Sequence, residues 1–64
     1  MLIELFDKVQ LTSGKSAHIV EVYEQGEAYE ADIDEGDGEY ITDTIKHSDI
    51  LYVLAEKPER RTAV

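Results

Sequence analysis

Sixty-four residues carry 15 Asp and Glu against 6 Lys and Arg, a net charge of −9, with no Cys and no Trp. That length holds at most one small domain, and a chain of about 60 residues buries only about 60% of its extended surface. The composition excludes a disulfide framework, a thiolate zinc site and a cysteine nucleophile.

Taken in chain order, the residues read as strands and turns. Met1 to Phe6 fits either an extension of the first strand or a short helical cap packing Leu2, Leu5 and Phe6. Asp7 to Leu11 alternates, with Val9 and Leu11 on one face, and Thr12 to Ser16 is a polar loop. His18 to Glu24 is rich in β-branched and aromatic residues. Strict alternation sorts it into His18, Val20, Val22, Glu24 and Ile19, Glu21, Tyr23. Gln25-Gly26-Glu27 has the length of a bulged hairpin loop. Ala28 to Ile33 predicts Tyr29, Ala31 and Ile33 inward, with Glu30 and Asp32 outward. Asp34 to Gly38 is a second tight turn, and Glu39 to Ile45 a strand placing Tyr40, Thr42 and Thr44 opposite Ile41, Asp43 and Ile45. Lys46 to Asp49 is a turn with room for one turn of 3₁₀ helix, and Ile50 to Leu54 is the last strand. The expected architecture is all-β: a five-stranded, SH3-like small barrel with antiparallel hairpins over residues 1–55, closed or nearly closed. Residues 56–64 are polar and Pro-broken, which predicts a frayed tail.

The charge is segregated. Residues 17–44 contain no Lys or Arg but ten acids: Glu21, Glu24, Glu27, Glu30, Asp32, Asp34, Glu35, Asp37, Glu39 and Asp43. Nucleic-acid affinity rests largely on Lys and Arg neutralising phosphates, so direct binding to DNA or RNA is not expected. A basic protein is the natural complement, because charge of one sign steers encounter with the other. The plainer account is a surface that only keeps a small protein soluble.

Phe6 to Leu11, Ile19 to Glu30, Asp37-Gly38-Glu39 and Ile50 to Leu54 resemble a small family of uncharacterised bacterial domains. Its pattern is Asp-x-Val-x-Leu, a Gly-Thr-x-Val-Glu-x-Tyr strand, a Tyr-Glu-Val-Glu-Phe strand, an Asp-Gly turn and a final apolar strand. The resemblance covers residues 6 to 54 and implies an SH3-like barrel. It supplies no catalytic residues. A weak association of the family with toxin-like genes implies an antidote or inhibitor role. Ser16-Ala17-His18 departs from the family's Gly-Thr, and Ala31-Asp32-Ile33 is smaller than its Val-Glu-Phe.

Several chemical motifs reduce to structural ones. Gly14-Lys15-Ser16 resembles the end of a phosphate-binding loop, yet Val9 stands where the first Gly belongs and a strand follows instead of a helix. Asp32, Asp34, Glu35 and Asp37 offer oxygens for Ca²⁺, but Gly36 and Asp37 invert the EF-hand order, so a charged hairpin turn accounts for them better. His18 and His47 make one pair, which is thin ground for a metal site. Carboxylate pairs are plentiful, but acid–base work needs a pocket that separates their pKa values, and a barrel this small is filled by side chains. Ser13, Ser16 and Ser48 lack a nucleophile elbow. Neither catalytic residues, nor a metal, nor a cofactor are expected.

The sequence therefore predicts a non-enzymatic acidic protein-binding module that inhibits or caps a basic partner. Glu21, Tyr23, Glu30, Asp32, Asp34, Glu35 and Asp37 form its contact surface, with Tyr23 exposed among acids. The alternatives are an accessory domain that stabilises a subunit of a larger complex and, against the charge, a nucleic-acid-binding barrel. No apolar run approaches a bilayer span and Met1-Leu2-Ile3-Glu4 lacks the start of a secretory signal, so the expectation is a cytoplasmic monomer or weak dimer away from membranes.

Overall fold

A computed structural model describes residues 1–55; the tail expected at 56–64 lies outside the described residues. The strands are β1 (Lys8–Leu11), β2 (Ser16–Glu24), β3 (Ala28–Asp34), β4 (Tyr40–Lys46) and β5 (Ile50–Ala55), with a 3₁₀ turn at His47–Asp49. All pairings are antiparallel and the order is β4-β3-β2-β1-β5. This is the expected all-β, five-stranded, barrel-like fold. No ladder joins β4 to β5, so the sheet keeps two edges.

One face of the sheet carries the core: Val9 and Leu11 of β1, Ala17 and Ile19 of β2, Tyr29 and Ala31 of β3, Ile45 of β4 and Ile50 of β5. Tyr29, Ile3, Ile19 and Val9 are the largest fully buried side chains, each contributing about 1.5–3 kcal/mol by leaving water. Val22, Ile33 and Val53 pack against them.

β2 does not alternate strictly. Ile19 pairs with Ala31 but Glu21 pairs with Glu30, so Val20 is an extra residue in a bulge. The bulge shifts the phase by one: Ala17 and Ile19 point inward before it, and Val22 after it. The expected grouping of Val20 and Val22 on one face with His18 fails for this reason. Similar irregularities leave Leu51 and Leu54 of β5 without a facing residue on β1.

The N-terminal segment is neither strand nor helix. The residue it buries is Ile3, while Leu2, Leu5 and Phe6 stay exposed. Backbone hydrogen bonds to the other elements account for this shape. The Phe6 N–H donates to the Ile19 carbonyl at 2.7 Å, and the Ile19 N–H donates to the Asp7 carbonyl at 2.9 Å. The Asp7 N–H closes a turn onto the Glu4 carbonyl, and Asp7 Oδ2 accepts from the Glu4 N–H. Phe6 takes φ +70° in this turn, a value for which glycine is the usual residue.

Candidate functional site

The acids of β3 that point away from the core lie on a face shared with β2 and β4. The β3–β4 register is regular, setting Glu30 opposite Thr44, Asp32 opposite Thr42 and Asp34 opposite Tyr40. On the other side His18 of β2 faces Asp32, and Lys8 of β1 faces His18. Loop length fixes this register: a five-residue connection between two seven-residue strands brings like-phased residues together.

Glu30 is the centre of the face. Its Oε1 accepts from the Tyr23 hydroxyl at 3.0 Å and from the Thr44 hydroxyl at 2.8 Å, so one carboxylate oxygen ties β2, β3 and β4. The Thr42 hydroxyl donates to Asp32 Oδ1 in the next row. Tyr23 is 59% exposed, as expected, and stands at a second register shift of β2, between Val22 and Glu24, where it has no facing residue on β3. The hydrogen bond to Glu30, partial desolvation, and the charges of Glu30 and then Glu21 hold the Tyr23 phenol above its ordinary value of 10.0. Glu21 is exposed to solvent beside it.

The remaining acids named from the sequence shape the β3–β4 turn. Asp34 Oδ1 accepts from the Gly36 N–H at 2.8 Å and Asp37 Oδ1 from the Glu39 N–H at 3.2 Å. Each is a local side-chain-to-backbone bond of the kind that favours Asp in turns. Glu35 reaches across to the β1–β2 loop and pairs with Lys15 Nζ at 2.6 Å. Glu21, Tyr23, Glu30 and Asp32 thus sit within the strands, Asp34 ends β3, and Glu35 and Asp37 lie in the hairpin turn. Among the described residues, no three His, Asp or Glu side chains converge in a metal-ligating arrangement.

Thr42 and Thr44 belong to this face and were not singled out from the sequence; their shared phase with Tyr40 was the available signal. A second polar cluster also went unread. His47 Nδ1 lies 2.7 Å from the Tyr29 hydroxyl beneath an open depression lined by Gly26, Glu27, Ala28, Lys46, His47 and Ser48. It is separate from the acidic face and holds the β2–β3 turn to the 3₁₀ turn.

No helix among the described residues is long and apolar enough to cross a membrane. Compared with protein-family models, curated proteins and solved structures, the chain matches none.

Proposed function

We propose that this chain is a non-enzymatic, cytoplasmic protein-binding module that caps a basic surface of a partner protein, as an inhibitor or antidote does. The observation that carries the reading is the Tyr23–Glu30–Thr44 arrangement in an acidic face: an exposed aromatic held by a carboxylate, with Glu21 and Asp32 beside it. Charge of one sign on one face raises the rate of encounter with a basic cleft, and a positioned tyrosine supplies apolar contact once the surfaces meet.

Glu21 and Glu24 are the residues to reverse, because both are exposed and neither shapes a turn through its side chain. The chain, immobilised, is challenged with nuclease-treated lysate of its own host at low salt and then eluted with rising salt. One basic protein released by salt, and not retained by the Glu21→Lys/Glu24→Lys variant, is the expected result. Retention of the same protein by that variant, unaffected by salt, overturns the charge mechanism.

A second observation favours an accessory subunit. Met1, Leu2, Leu5 and Phe6 at the N-terminal segment and Leu51, Tyr52 and Leu54 on β5 are exposed large apolar side chains. Contact through them would leave affinity nearly independent of salt, so the same elution separates the two readings.

A further inference from the structure

β4 is an edge strand, and the hydrogen bonds at its two ends tell which of its backbone groups face outward. The Glu35 N–H donates to the Glu39 carbonyl, and the His47 N–H to the Glu27 carbonyl. Both pairs fall on the register that matches Ile33 with Ile41, Ala31 with Asp43 and Tyr29 with Ile45. In an antiparallel ladder hydrogen-bonded pairs alternate with non-bonded ones. The odd-numbered residues of β4 therefore bond to β3, and the N–H and C=O groups of Tyr40, Thr42, Thr44 and Lys46 point away from the sheet.

Two of those four N–H groups are already satisfied by acids. Asp43 Oδ1 accepts from Thr44 at 2.8 Å, and Asp49 Oδ2 from Lys46 at 2.9 Å. By the same alternation the N–H groups of Tyr40 and Thr42 make no bond to β3. The strand is exposed at every residue except Ile45. Its two sides differ. Tyr40, Thr42 and Thr44 adjoin Asp34, Asp32 and Glu30, whereas on the opposite side Ile41 is 53% exposed beside Ile33.

We propose that the Tyr40–Thr42 half of this edge receives an extended segment of the partner protein as an added strand, one in which Lys or Arg alternates with apolar residues. Successive side chains of a strand point to opposite faces. The basic ones then reach across Tyr40 and Thr42 toward the row of Glu30, Asp32 and Asp34 on β3, and the apolar ones adjoin Ile41. Main-chain bonds to Tyr40 and Thr42 supply affinity, and the alternation supplies selectivity. A second copy of this chain is the wrong occupant: each copy carries −9, and pairing β4 with β4 would bring Asp43 and the acid rows together. The Asp43 and Asp49 caps blunt the rest of the edge, a known way to discourage unwanted strand addition. The partner's basic character rests on the function proposed above, and the test separates the two ideas.

Two probes of equal length and charge are needed: an octapeptide alternating Lys and Val, and one alternating Lys and Pro, which cannot pair as a strand. Both are titrated into the full-length chain at low salt, with amide exchange read residue by residue by NMR. The Lys–Val peptide should slow exchange at Tyr40 and Thr42 about tenfold and bind about tenfold more tightly than the Lys–Pro peptide. Thr42→Pro, which removes the outward N–H, should erase that difference, whereas Thr42→Val, which loses only the hydroxyl bond to Asp32 and keeps the N–H, should retain it. Equal binding of both peptides without protection at Tyr40 and Thr42 overturns the added strand and leaves the acidic face standing. Binding of neither overturns both. Protection of Tyr40 and Thr42 by the chain's own self-association at high salt makes a second copy the occupant and overturns the basic strand.

Discussion

The hydroxyl of Tyr29 lies 2.7 Å from Nδ1 of His47, although the Tyr29 side chain is wholly buried and His47 stands on the turn eighteen residues later. The same hydroxyl accepts from the Gly26 N–H at 2.8 Å and is 3.2 Å from Gln25 Oε1. Gln25 in turn clamps the N-terminal segment, accepting from the Ile3 N–H at 2.9 Å and donating to the Ile3 carbonyl at 2.7 Å. That reciprocal pair fixes which end of the Gln25 amide is the oxygen. Three separate stretches of chain thus meet at one phenol.

Replacing Tyr29 by Phe keeps the ring and deletes the junction. The Gly26 N–H, His47 Nδ1 and Gln25 Oε1 each lose a partner at once, and because Gln25 and Gly26 are open to solvent the loss is about 0.5–1.5 kcal/mol, the net worth of a hydrogen bond. Chemical denaturation of Tyr29→Phe should show a loss in that range. A loss indistinguishable from zero would mean that water replaces the hydroxyl. The phenol also has only one proton. If it donates to Gln25, the contact with His47 is a hydrogen bond only when Nδ1 carries a hydrogen. The ¹⁵N shifts of the imidazole should therefore report the Nδ1–H tautomer, and an Nε2–H form would place the phenol proton on His47 instead.

Ile3 makes a sharper prediction than its position near the start of the chain suggests. It is fully buried, while its neighbour Leu2 is 65% exposed. Ile3→Ala should cost about 2–5 kcal/mol, a large part of the stability of a domain this small. Leu2→Ala should cost less than about 0.5 kcal/mol. Urea melts of the two variants, run side by side, test whether the first turn belongs to the core; equal midpoints would show that it does not.

What was legible in the sequence follows from period and turn chemistry. β3 and β4 pair without interruption, and there alternation placed Tyr29, Ala31 and Ile33 toward the core and separated Ile41, Asp43 and Ile45 from Tyr40, Thr42 and Thr44. β2 and β5 carry bulges, and a bulge is a tertiary decision: Val20 reads like any other β-branched strand residue until the carbonyl of Ile19 is claimed by Phe6. The N-terminal segment was unreadable for the same reason, since Phe6 sits at a φ that its side chain disfavours and long-range hydrogen bonds hold it there. On the acidic face the strand residues could be assigned by phase. Sequence could not distinguish the acids that bond within the hairpin turn, Asp34 and Asp37, from those that face outward, because both occur in the same run.

Gly26 is the turn residue whose replacement should be felt. It stands at φ +82° between β2 and β3 and its N–H feeds the Tyr29 hydroxyl. No heavy atom lies within 4 Å of where a Cβ would go, so the penalty in Gly26→Ala comes from the backbone alone. A left-handed residue with a side chain costs about 1–2 kcal/mol. Thermal or urea unfolding should show that loss, and the substitution Gly26→Asn should recover part of it because Asn tolerates this region better. Equal losses for the two variants would locate the damage in the hydrogen bond to Tyr29 instead.

Tyr23 offers a reading of the acidic face that needs no partner. Its phenol donates to Glu30 and sits in the field of Glu30 and Glu21, so the neutral form is favoured and the phenol ionises above 10.0. The sign of the linkage follows: a group whose folded pKa is raised supports the fold while it stays protonated, fully below the unfolded value and less as pH climbs through the folded one. Solvent exposure keeps that support small. The direct measurement is an ultraviolet titration of tyrosinate absorbance in the native chain, in Tyr23→Phe, and in Glu30→Gln. The difference between native chain and Tyr23→Phe should isolate a transition above 10.0, and Glu30→Gln should move it back toward that value. A Tyr23 transition at the ordinary value in the native chain would show that the Tyr23–Glu30 bond does not persist in solution. The aromatic would then be a freely rotating side chain on an acidic surface, and the preorganised contact on which the proposed function depends would be gone.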